Sequence, residues 1–375
     1  MKIAVNTRLL LKDRLEGIGW FSHECLSRIV RLHPEHQFYF LFDRPYDNSF
    51  VYAPNVTPVV ACPPARHPYL WYLFFEFGIP YQLKKIRPDL FLSTDGWIPT
   101  RLQDIPVVDV IHDLNFVHHP DFIEKRTVKK YYDRFFPQFA QSATRIATVS
   151  EYTRQDIHQQ YEVPLSHIDV VYNGSNPVYH PLTLQEQQAV KAEYTQGCDY
   201  FLFVGLIHKR KNLANIFRAF DAFKERQETN AKLVVVGDKK WWQGEIEDTY
   251  LVMRHRDEVI MLGRQKVEVL QKLYASARAL VYASLFEGFG IPIVEAFHAE
   301  TAVITSQVTS MPEVAGDAAV LVDPYSVSEI TEAMSKLWND DEYRESLIAK
   351  GRVRRDLFSW DQTADKLWQT IEKVL

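Results

Sequence analysis

Two glutamates, Glu287 and Glu295, stand eight positions apart within the stretch SLFEGFGIPIVEAF, residues 284–297. A strand-like apolar run precedes them, and a helix is predicted from Pro292. Proline is favoured at the first position of a helix, because a backbone N–H there would have no partner within the helix. Two acids that flank a glycine loop suit hydroxyl groups, from which carboxylates accept strong hydrogen bonds. The alternative is a plain strand–turn–helix connection, in which Glu295 lies in the first helical turn and complements the helix dipole.

Gly288 and Gly290 lie between the two acids. Glycine tolerates backbone conformations that bring bare N–H groups close to a ligand, and the helix N-terminus that follows adds a partial positive charge. Such a loop suits an anion such as phosphate. Because ligands of open α/β sheets bind at the carboxyl ends of the strands, we expect this loop to belong to a binding site.

Three consecutive cations, Lys209, Arg210 and Lys211, fall in the stretch FVGLIHKRKNL at a second strand-to-helix junction. This junction is expected at the same sheet edge as Glu287. The planar fork of arginine and the point charge of lysine both suit phosphate oxygens, so the two stretches together predict a diphosphate pocket. The alternative is a solvated basic turn. We also expect Asn212 to cap the helix that follows.

The first half of the chain offers two weaker signals. EGIGW at 16–20 holds Gly17 and Gly19 between a strand and a helix, but lacks the third glycine of the dinucleotide-binding pattern. VIHDLNF places His112 and Asp113 at the end of a strand. Asp113 could orient His112, His112 could contact a ligand directly, or the histidine could be structural; the sequence alone favours the structural role.

Short apolar runs alternate with amphipathic stretches along the 375 residues. The predicted strands lie at 2–6, 37–42, 89–93, 107–113, 145–150 and 168–174, and, after a polar interval, at 200–206, 232–238, 259–263, 279–284, 302–306 and 319–323. Uniformly apolar strands that alternate with helices predict parallel sheets covered on both faces. Since the length favours two domains, we predict an α/β protein with two Rossmann-like, doubly wound parallel-sheet domains.

The composition excludes several classes of protein. Hydrophobic residues make up 46% and charged residues 24% of the chain, which is ordinary for a globular protein. A net charge of −5 gives no indication of a nucleic-acid partner. The three dispersed cysteines argue against a disulfide framework and fit a cytoplasmic protein. The sequence contains no Asp-x-Asp, Walker lysine or helical His-x-x-x-His motif, so we predict neither a metal nor another cofactor.

The aromatic run YLWYLFFEF at 69–77 contains Glu76 and is too short to span a bilayer. It is typical of a core helix. A peripheral contact with the inner face of the membrane stays open as the alternative.

These residues carry a resemblance to a known family. FVGLIHKRKNL, LYASARALVYASLFEGFGIPIVEAF, SMPEVAGDAAVLVDP and VIHDLNF are similar to segments of the retaining GT-B glycosyltransferases of family 4, and the similarity is strongest from about 145 to 360. The resemblance implies two domains that face each other across a cleft. An acceptor-binding domain would span 1–180 and a nucleotide-sugar-binding domain 181–357, followed by a helix at 358–375 that crosses back to the first domain.

The resemblance also implies a catalytic set of His112, Arg210, Lys211 and Glu287. Glu287 would hold hydroxyls of the transferred sugar. Arg210 and Lys211 would neutralise the diphosphate, and His112 would contact the sugar. Glu295 would hold the ribose. The implied donor-binding residues are Gly17, Gly19, Gly205, Gly288, Phe289, Gly290, Ile291 and Glu295.

The implied reaction moves a hexose from a nucleotide diphosphate sugar to a saccharide or lipid-linked saccharide in cell-surface polysaccharide synthesis, with retained configuration and without a metal ion. GDP-mannose is the favoured donor and a UDP-sugar the second choice. Leu206 stands where many relatives carry arginine, which leaves more of the diphosphate charge to Arg210 and Lys211. The alternatives are a non-catalytic nucleotide-sugar-binding protein, and a sugar-nucleotide epimerase or phosphorylase of the same architecture. The missing third glycine disfavours a nicotinamide-dependent dehydrogenase.

Overall fold

The chain divides into two compact units. A computed structural model describes residues 1–12, 14–102, 104–123, 125–239 and 242–375. The first unit comprises Met1–Gly174 together with Trp360–Leu375, and the second comprises Ser175–Ser359. Which unit binds the acceptor and which binds the sugar nucleotide stays a prediction.

The first unit is built on a parallel sheet, which over the described residues has seven strands in the order β3-β2-β1-β4-β5-β6-β7. The strands are β1 (Lys2–Asn6), β2 (Gln37–Phe42), β3 (Val56–Val60), β4 (Leu90–Ser93), β5 (Val107–Ile111), β6 (Arg145–Thr148) and β7 (Ile168–Val170). Its central strands β4 and β5 are buried along their length, and all their residues except Ser93 and Asp109 are apolar, because helices cover both faces of a sheet of this kind.

Six helices of the first unit precede its last strand in the described part of the chain. They are α1 (Gly17–Leu32), α2 (Pro68–Leu73), α3 (Ile79–Ile86), α4 (Asn115–His118), α5 (Arg126–Ser142) and α6 (Glu151–Tyr161). A π-helical turn, Phe74–Gly78, joins α2 to α3. The aromatic run at 69–77 is therefore helical, as predicted, but the prediction of a core helix holds only for Phe74 and Phe75, because no other residue of the run is buried.

The second unit repeats the design. Its parallel sheet has six strands among the residues described, in the order β10-β9-β8-β11-β12-β13. The strands are β8 (Tyr200–Val204), β9 (Lys232–Val236), β10 (Val259–Gly263), β11 (Ala279–Tyr282), β12 (Ala302–Ser306) and β13 (Val320–Val322). The helices are α7 (Leu184–Thr195), α8 (Leu213–Arg226), α9 (Glu245–Val252), α10 (Val267–Ser276), α11 (Ile291–His298), α12 (Met311–Ala315), α13 (Val327–Asn339) and α14 (Asp341–Arg354).

The last helix, α15 (Trp360–Glu372), belongs to the first unit although it follows the second in sequence. It packs against α1, where Arg28 donates to Asp361 at 2.5 Å, and the Thr363 hydroxyl donates to the carbonyl of Tyr172 at 2.7 Å. These contacts hold the end of the chain on the first sheet.

The predicted fold class is confirmed, since every predicted strand-like run contains an observed strand and both sheets are parallel throughout the described residues. One strand was missed. β3 contains Pro58, which pairs opposite Phe40 at the edge of the sheet. Proline argues against a central strand because it cannot donate to the ladder, but at an edge this loss is tolerated.

Candidate functional site

The two predicted motifs of the second unit meet at the carboxyl edge of its sheet. A 3₁₀ turn, Lys209–Lys211, follows β8, and the glycine loop follows β11, the strand beside it. The two segments touch directly, because the backbone N–H of Leu285 donates to the carbonyl of Arg210 at 2.8 Å. The topology thus brings together residues that lie more than 70 positions apart in sequence.

Glu287 is the centre of this junction. Arg210 Nη1 donates to its Oε2 at 2.5 Å, and Lys211 Nζ donates to its Oε1 at 2.6 Å. Arg210 Nη1 also donates to the carbonyl of Phe286 at 3.0 Å, and Lys211 Nζ to the hydroxyl of Tyr282 at 2.6 Å. One carboxylate thus holds two cations at a fixed place beside the loop.

The charge state of Glu287 follows from these contacts. Its side chain is buried, and burial alone would raise its pKa. Coulombic attraction to Arg210 and Lys211, with the hydrogen bond from Lys211, outweighs burial and lowers the pKa of Glu287 to about 2. The carboxylate is therefore ionised at neutral pH, and the cluster of one anion and two cations has an excess of positive charge.

The three consecutive cations do not behave alike. Lys211 is buried and Arg210 half-buried, whereas Lys209 is exposed to solvent. The prediction that Asn212 caps α8 through its side chain is wrong. Asn212 occupies the position before the helix with a left-handed backbone, but its amide donates instead to the carbonyls of Ala283 and Pro324. It fastens the turn to neighbouring strand ends.

The glycine loop is held from one side by Ser310. The hydroxyl of this buried residue contacts the carbonyl of Glu287 at 2.9 Å and that of Phe289 at 3.1 Å. The Thr309 hydroxyl accepts from the N–H of Glu287 at 3.3 Å. Both residues follow β12, and Ser310 begins the stretch SMPEVAGD. This stretch is one of the segments that carry the family resemblance, but the contacts of the two hydroxyls with the loop could not be predicted from the sequence.

Gly290 makes the turn from loop to helix. Its φ is +102°, a conformation that side chains disfavour, and an added Cβ would lie 3.1 Å from Cδ1 of Ile293. α11 begins at Ile291, one residue before Pro292. Glu295 is therefore the fifth helical residue and lies beyond the first turn, so the prediction that it complements the dipole from the first turn is wrong.

Gly205, at the end of β8, has a φ of +152° and lies beside Lys211, whose side-chain carbons would be 3.5–3.7 Å from an added Cβ. Its carbonyl also approaches Gly237, where an added Cβ would lie 1.9 Å from the Gly205 oxygen. The absence of a side chain at Gly237 allows these two strand ends to lie close together. Leu206 follows as an exposed residue.

Glu295 lies in a different environment from Glu287. The hydroxyl of Tyr274 donates to its Oε2 at 2.8 Å, and Tyr179 also hydrogen-bonds to the carboxyl. Burial raises the pKa of Glu295 to about 7, and the two hydroxyls oppose that rise only in part. Neither tyrosine was predicted as a partner, since Tyr274 lies on α10 and Tyr179 precedes α7.

In the first unit, Gly17 and Gly19 lie inside the first turn of α1 and not in a loop before it. Gly17 has open space around it, whereas a Cβ on Gly19 would lie 3.0 Å from the carbonyl of Leu9. Gly19 therefore permits close packing of the helix on the segment after β1. Their predicted role beside a diphosphate stays a prediction.

His112, at the end of β5, is held by backbone and aromatic contacts. Its Nε2 lies 2.9 Å from the carbonyl of Thr94, and its ring packs edge-on against Phe21 at 4.9 Å. Burial lowers its pKa, so the imidazole is neutral at pH 7. Asp113 does not orient it, because the Asp113 carboxylate accepts from the N–H of Asn115 at 3.0 Å.

Sequence reasoning missed a polar cluster that follows β1 and β4. Arg8 Nε donates to Asp95 at 2.5 Å, and Asn6 Nδ2 donates to the other Asp95 oxygen at 2.8 Å. The guanidinium also lies 5.1 Å from the ring centroid of Trp97. The signal that the sequence offers for this cluster is the tripeptide NTR, which places Asn6 and Arg8 at the end of a predicted strand.

Two further features of the described residues bear on binding partners. Among the described residues, the grouping of His, Cys, Asp and Glu with metal-ligand spacing is His33, Glu35 and His36, after α1 in the first unit. None of the described helices is both long and apolar enough to cross a membrane.

Two family models match the chain. "Glycosyltransferase Family 4" matches residues 17–178, and "Glycosyl transferases group 1" matches residues 185–354. The O-antigen chain mannosyltransferase B of Escherichia coli is 30% identical over 291 residues, which are 75% of this chain and 73% of that protein. The O-antigen chain mannosyltransferase RfbU of Salmonella typhimurium is 27% identical over 282 residues, 74% of this chain and 72% of that protein.

A solved structure has the same fold. The structure of Anabaena Alr3699/HepE in complex with UDP-glucose superposes with a TM-score of 0.76 at 14% identity and covers 100% of both chains. At that identity the likeness concerns the fold, and it confirms the predicted pair of Rossmann-like units.

Proposed function

The chain belongs to the group 1 glycosyltransferases, and we propose that it transfers a hexose from a nucleotide diphosphate sugar to a saccharide acceptor with retained configuration. The observation that carries this proposal is the cluster of Glu287, Arg210 and Lys211 beside the glycine loop. Arg210 and Lys211 are cations that can bind a diphosphate, and Glu287 is a carboxylate that can bind hydroxyl groups. All three lie in one site at the end of a strand.

The donor half of the proposal rests on charge. The cluster has one carboxylate against two cations at neutral pH, so an incoming diphosphate meets net positive charge. Arginine and lysine at the glycine loop then neutralise charge that develops on the leaving diphosphate. Fixed cations of this kind supply the stabilisation that a metal ion gives in other enzymes, and we propose transfer without a metal.

Glu287 has two tasks in this proposal. It fixes Arg210 and Lys211 before the donor arrives, and its oxygens accept hydrogen bonds from hydroxyls of the sugar. A carboxylate offers about four lone-pair directions, enough for two cations and further hydroxyls. Glu295 is proposed to accept from the ribose hydroxyls, and the backbone of Gly288 to Ile291 to contact the diphosphate.

The reaction proposed is a same-face displacement. The bond between the anomeric carbon and the diphosphate oxygen breaks, and the acceptor oxygen bonds to the same face of that carbon. The departing diphosphate takes the proton of the acceptor hydroxyl, and Arg210 and Lys211 stabilise its charge. His112, Gly17 and Gly19 are proposed to contact the sugar and the acceptor.

Mannose is the proposed sugar, with GDP-mannose as the favoured donor and a UDP-sugar as the second choice. The two relatives described above are named O-antigen chain mannosyltransferases, and the structural neighbour holds UDP-glucose. We propose a saccharide or lipid-linked saccharide acceptor in the synthesis of a cell-surface polysaccharide, on the cytoplasmic side of the membrane.

The test begins with binding. The purified protein is heated with GDP, UDP or ADP in the presence of EDTA, and a ligand at a hundred times its dissociation constant should stabilise the fold by about 2.7 kcal/mol. We expect a rise in Tm with GDP. The protein is then incubated with GDP-mannose and saccharide acceptors, and the anomeric configuration of the product is read by NMR.

Each outcome is informative. An α-linked product from an α-linked donor in EDTA supports retaining, metal-independent transfer. Inversion of configuration contradicts the same-face mechanism, and activity only after added metal contradicts metal independence. A rise in Tm without any product from a broad acceptor panel supports the non-catalytic alternative. No rise with any nucleotide contradicts the proposed donor pocket.

A further inference from the structure

An exposed apolar row runs along the helical segment α2–α3 of the first unit. Tyr69, Leu73, Phe77 and Tyr81 have exposed fractions of 71%, 42%, 58% and 59%. They recur at every fourth residue. The π-helical turn between α2 and α3 is wider than an α-turn, so this spacing keeps the four side chains on one face. The opposite face packs into the core through Phe74, Phe75, Ile79 and Leu83.

A pocket of about 390 Å³ opens beside this row, between α2 and α5. Its apolar lining includes Tyr72, Tyr131 and Phe135, and the rings of Tyr72 and Phe135 lie 5.8 Å apart. Lys130 and Arg134 also line it, and both are exposed side chains on α5. The pocket therefore combines an aromatic wall with two cations.

The surrounding charge is positive although the chain as a whole carries −5. The segments 68–86 and 126–142 hold six lysine or arginine residues against two carboxylates, Glu76 and Asp133. Both carboxylates are engaged: Glu76 accepts from the N–H and hydroxyl of Thr100, and Asp133 pairs with Lys129 at 2.6 Å. The cations of this face are therefore opposed by little negative charge.

We propose that this face of the first unit docks on the surface of an anionic phospholipid bilayer. Tyrosine is favoured at the boundary between headgroups and acyl chains because its ring is apolar and its hydroxyl is polar, and Phe and Leu supply the apolar face of a helix that lies there. The apolar row enters that boundary. Lys84 and Lys85, which follow the row, and the two cations of the pocket contact lipid phosphates.

The positive charge of this face favours an anionic bilayer as its partner. Each lysine or arginine near an anionic leaflet adds attraction that falls off within a Debye length, and a positive face on a negative protein orients the molecule toward such a surface. A helix that lies in the interface combines an apolar face with basic flanks, as this segment does. The proposal is independent of the sugar donor, since it concerns a different surface and needs no nucleotide.

The experiment is co-sedimentation of the full chain with vesicles of phosphatidylcholine alone and of phosphatidylcholine mixed with phosphatidylglycerol. We expect binding to the anionic vesicles, and at least about tenfold weaker binding when the anionic lipid is omitted or salt is raised. Y69S with F77S, and K130Q with R134Q, should each weaken binding about tenfold or more.

Matched controls come from the second unit. Leu251 and Val252 are exposed apolar residues on α9, and Arg226 and Lys272 are exposed cations. L251S with V252S, and R226Q with K272Q, should leave vesicle binding within twofold. All the substituted side chains are exposed, and unchanged circular dichroism and Tm verify that each variant is folded.

Three results with vesicles would overturn the proposal. The first is no sedimentation with anionic vesicles, and the second is equal binding to both vesicle types. The third is binding that the α2–α3 and α5 variants reduce no more than the controls do. A concentration-dependent dimer that Y69S with F77S abolishes, without vesicle binding, would assign this face to a second copy of the chain and overturn the membrane proposal.

Discussion

Glu287 and Glu295 lie eight residues apart, yet their surroundings give them opposite proton affinities. Glu287 contacts two cations, which lower its pKa to about 2 against the effect of burial. Glu295 contacts hydroxyl groups, and burial raises its pKa to about 7. The comparison teaches that burial sets no charge state by itself. The partner's charge decides, because a cation stabilises the carboxylate far more than a neutral hydroxyl does.

The two glutamates therefore contribute to stability in opposite pH ranges. The pKa of Glu287 is lowered on folding, so its contribution is present above about 4.5, the ordinary glutamate value, and is lost as the pH falls toward 2. The pKa of Glu295 is raised, so its contribution is present below about 4.5 and is lost as the pH rises through 7. The carboxyl group before the glycine loop is stabilised by ionisation, and the one on α11 is stabilised by protonation.

The largest effect is expected at the ion-paired end. Lys211→Met removes a buried cation that Glu287 positions, and we expect kcat/KM to fall about 10²- to 10³-fold, as when other preorganised donors are removed. Lys209→Met is the matched control, since this lysine belongs to the same turn but is exposed. It should change kcat/KM no more than about twofold. Equal losses in both variants would contradict the assignment of Lys211 to the diphosphate.

The next effect concerns the acid that holds the cations. Glu287→Gln leaves Lys211 and Arg210 without their carboxylate, and removing one partner of a buried pair costs about 3 kcal/mol or more. We expect a loss of that size in the free energy of unfolding, measured with urea at pH 7. Glu332→Gln, an exposed acid on α13, should stay within about 0.5 kcal/mol. A stable but inactive Glu287→Gln variant would mean that this glutamate acts in the reaction and contributes little to the stability of the fold.

The raised pKa of Glu295, which is hydrogen-bonded to two tyrosines, is tested by measuring stability against pH. Wild type should lose stability relative to Glu295→Gln between pH 5 and 8, by an amount on the order of 2 to 3 kcal/mol, because glutamine cannot ionise. The measurement is urea unfolding at closely spaced pH values. Glu287→Gln should retain the wild-type dependence of stability on pH over this range, because the Glu287 carboxylate of the wild type is already ionised there and does not titrate. Parallel curves for wild type and Glu295→Gln would show that Glu295 has an ordinary pKa.

A smaller effect is expected at Gly290, which lies between Glu287 and Glu295 in the sequence. Gly290→Ala forces a methyl group into a left-handed backbone beside Ile293, and we expect a loss of about 1 to 2 kcal/mol together with weaker nucleotide binding. Gly197→Ala is the control, because Gly197 has a φ of +82° but open space around it. It should lose less stability and keep nucleotide affinity. If both variants lost the same nucleotide affinity, the loss in Gly290→Ala could not be assigned to the glycine loop.

Much of the fold could be predicted from the sequence, because the central strands are short, mostly apolar runs and the helices between them are amphipathic. The candidate site was predicted in part. Strand-end glycines and cations are visible locally, but the pairing of Glu287 with Lys211 joins positions 76 residues apart. Only the strand order β8-β11 brings them together. The contact of Tyr274 with Glu295 depends in the same way on how α10 packs beside α11.

The smallest expected effect is the finest test of the comparison. Tyr274→Phe removes a hydroxyl that donates to Glu295 and lowers its pKa, so the pKa should rise above 7 by less than about one unit. The pH-dependent loss of stability should move upward by the same amount. Tyr200→Phe is the control, because its buried hydroxyl donates to the carbonyl of Leu273 at 2.7 Å and contacts no carboxylate in the described contacts. It should lower stability at all pH values without moving the midpoint. A downward shift in Tyr274→Phe would mean that the hydroxyl stabilises the protonated acid, so that the hydroxyl and burial would together raise the pKa of Glu295.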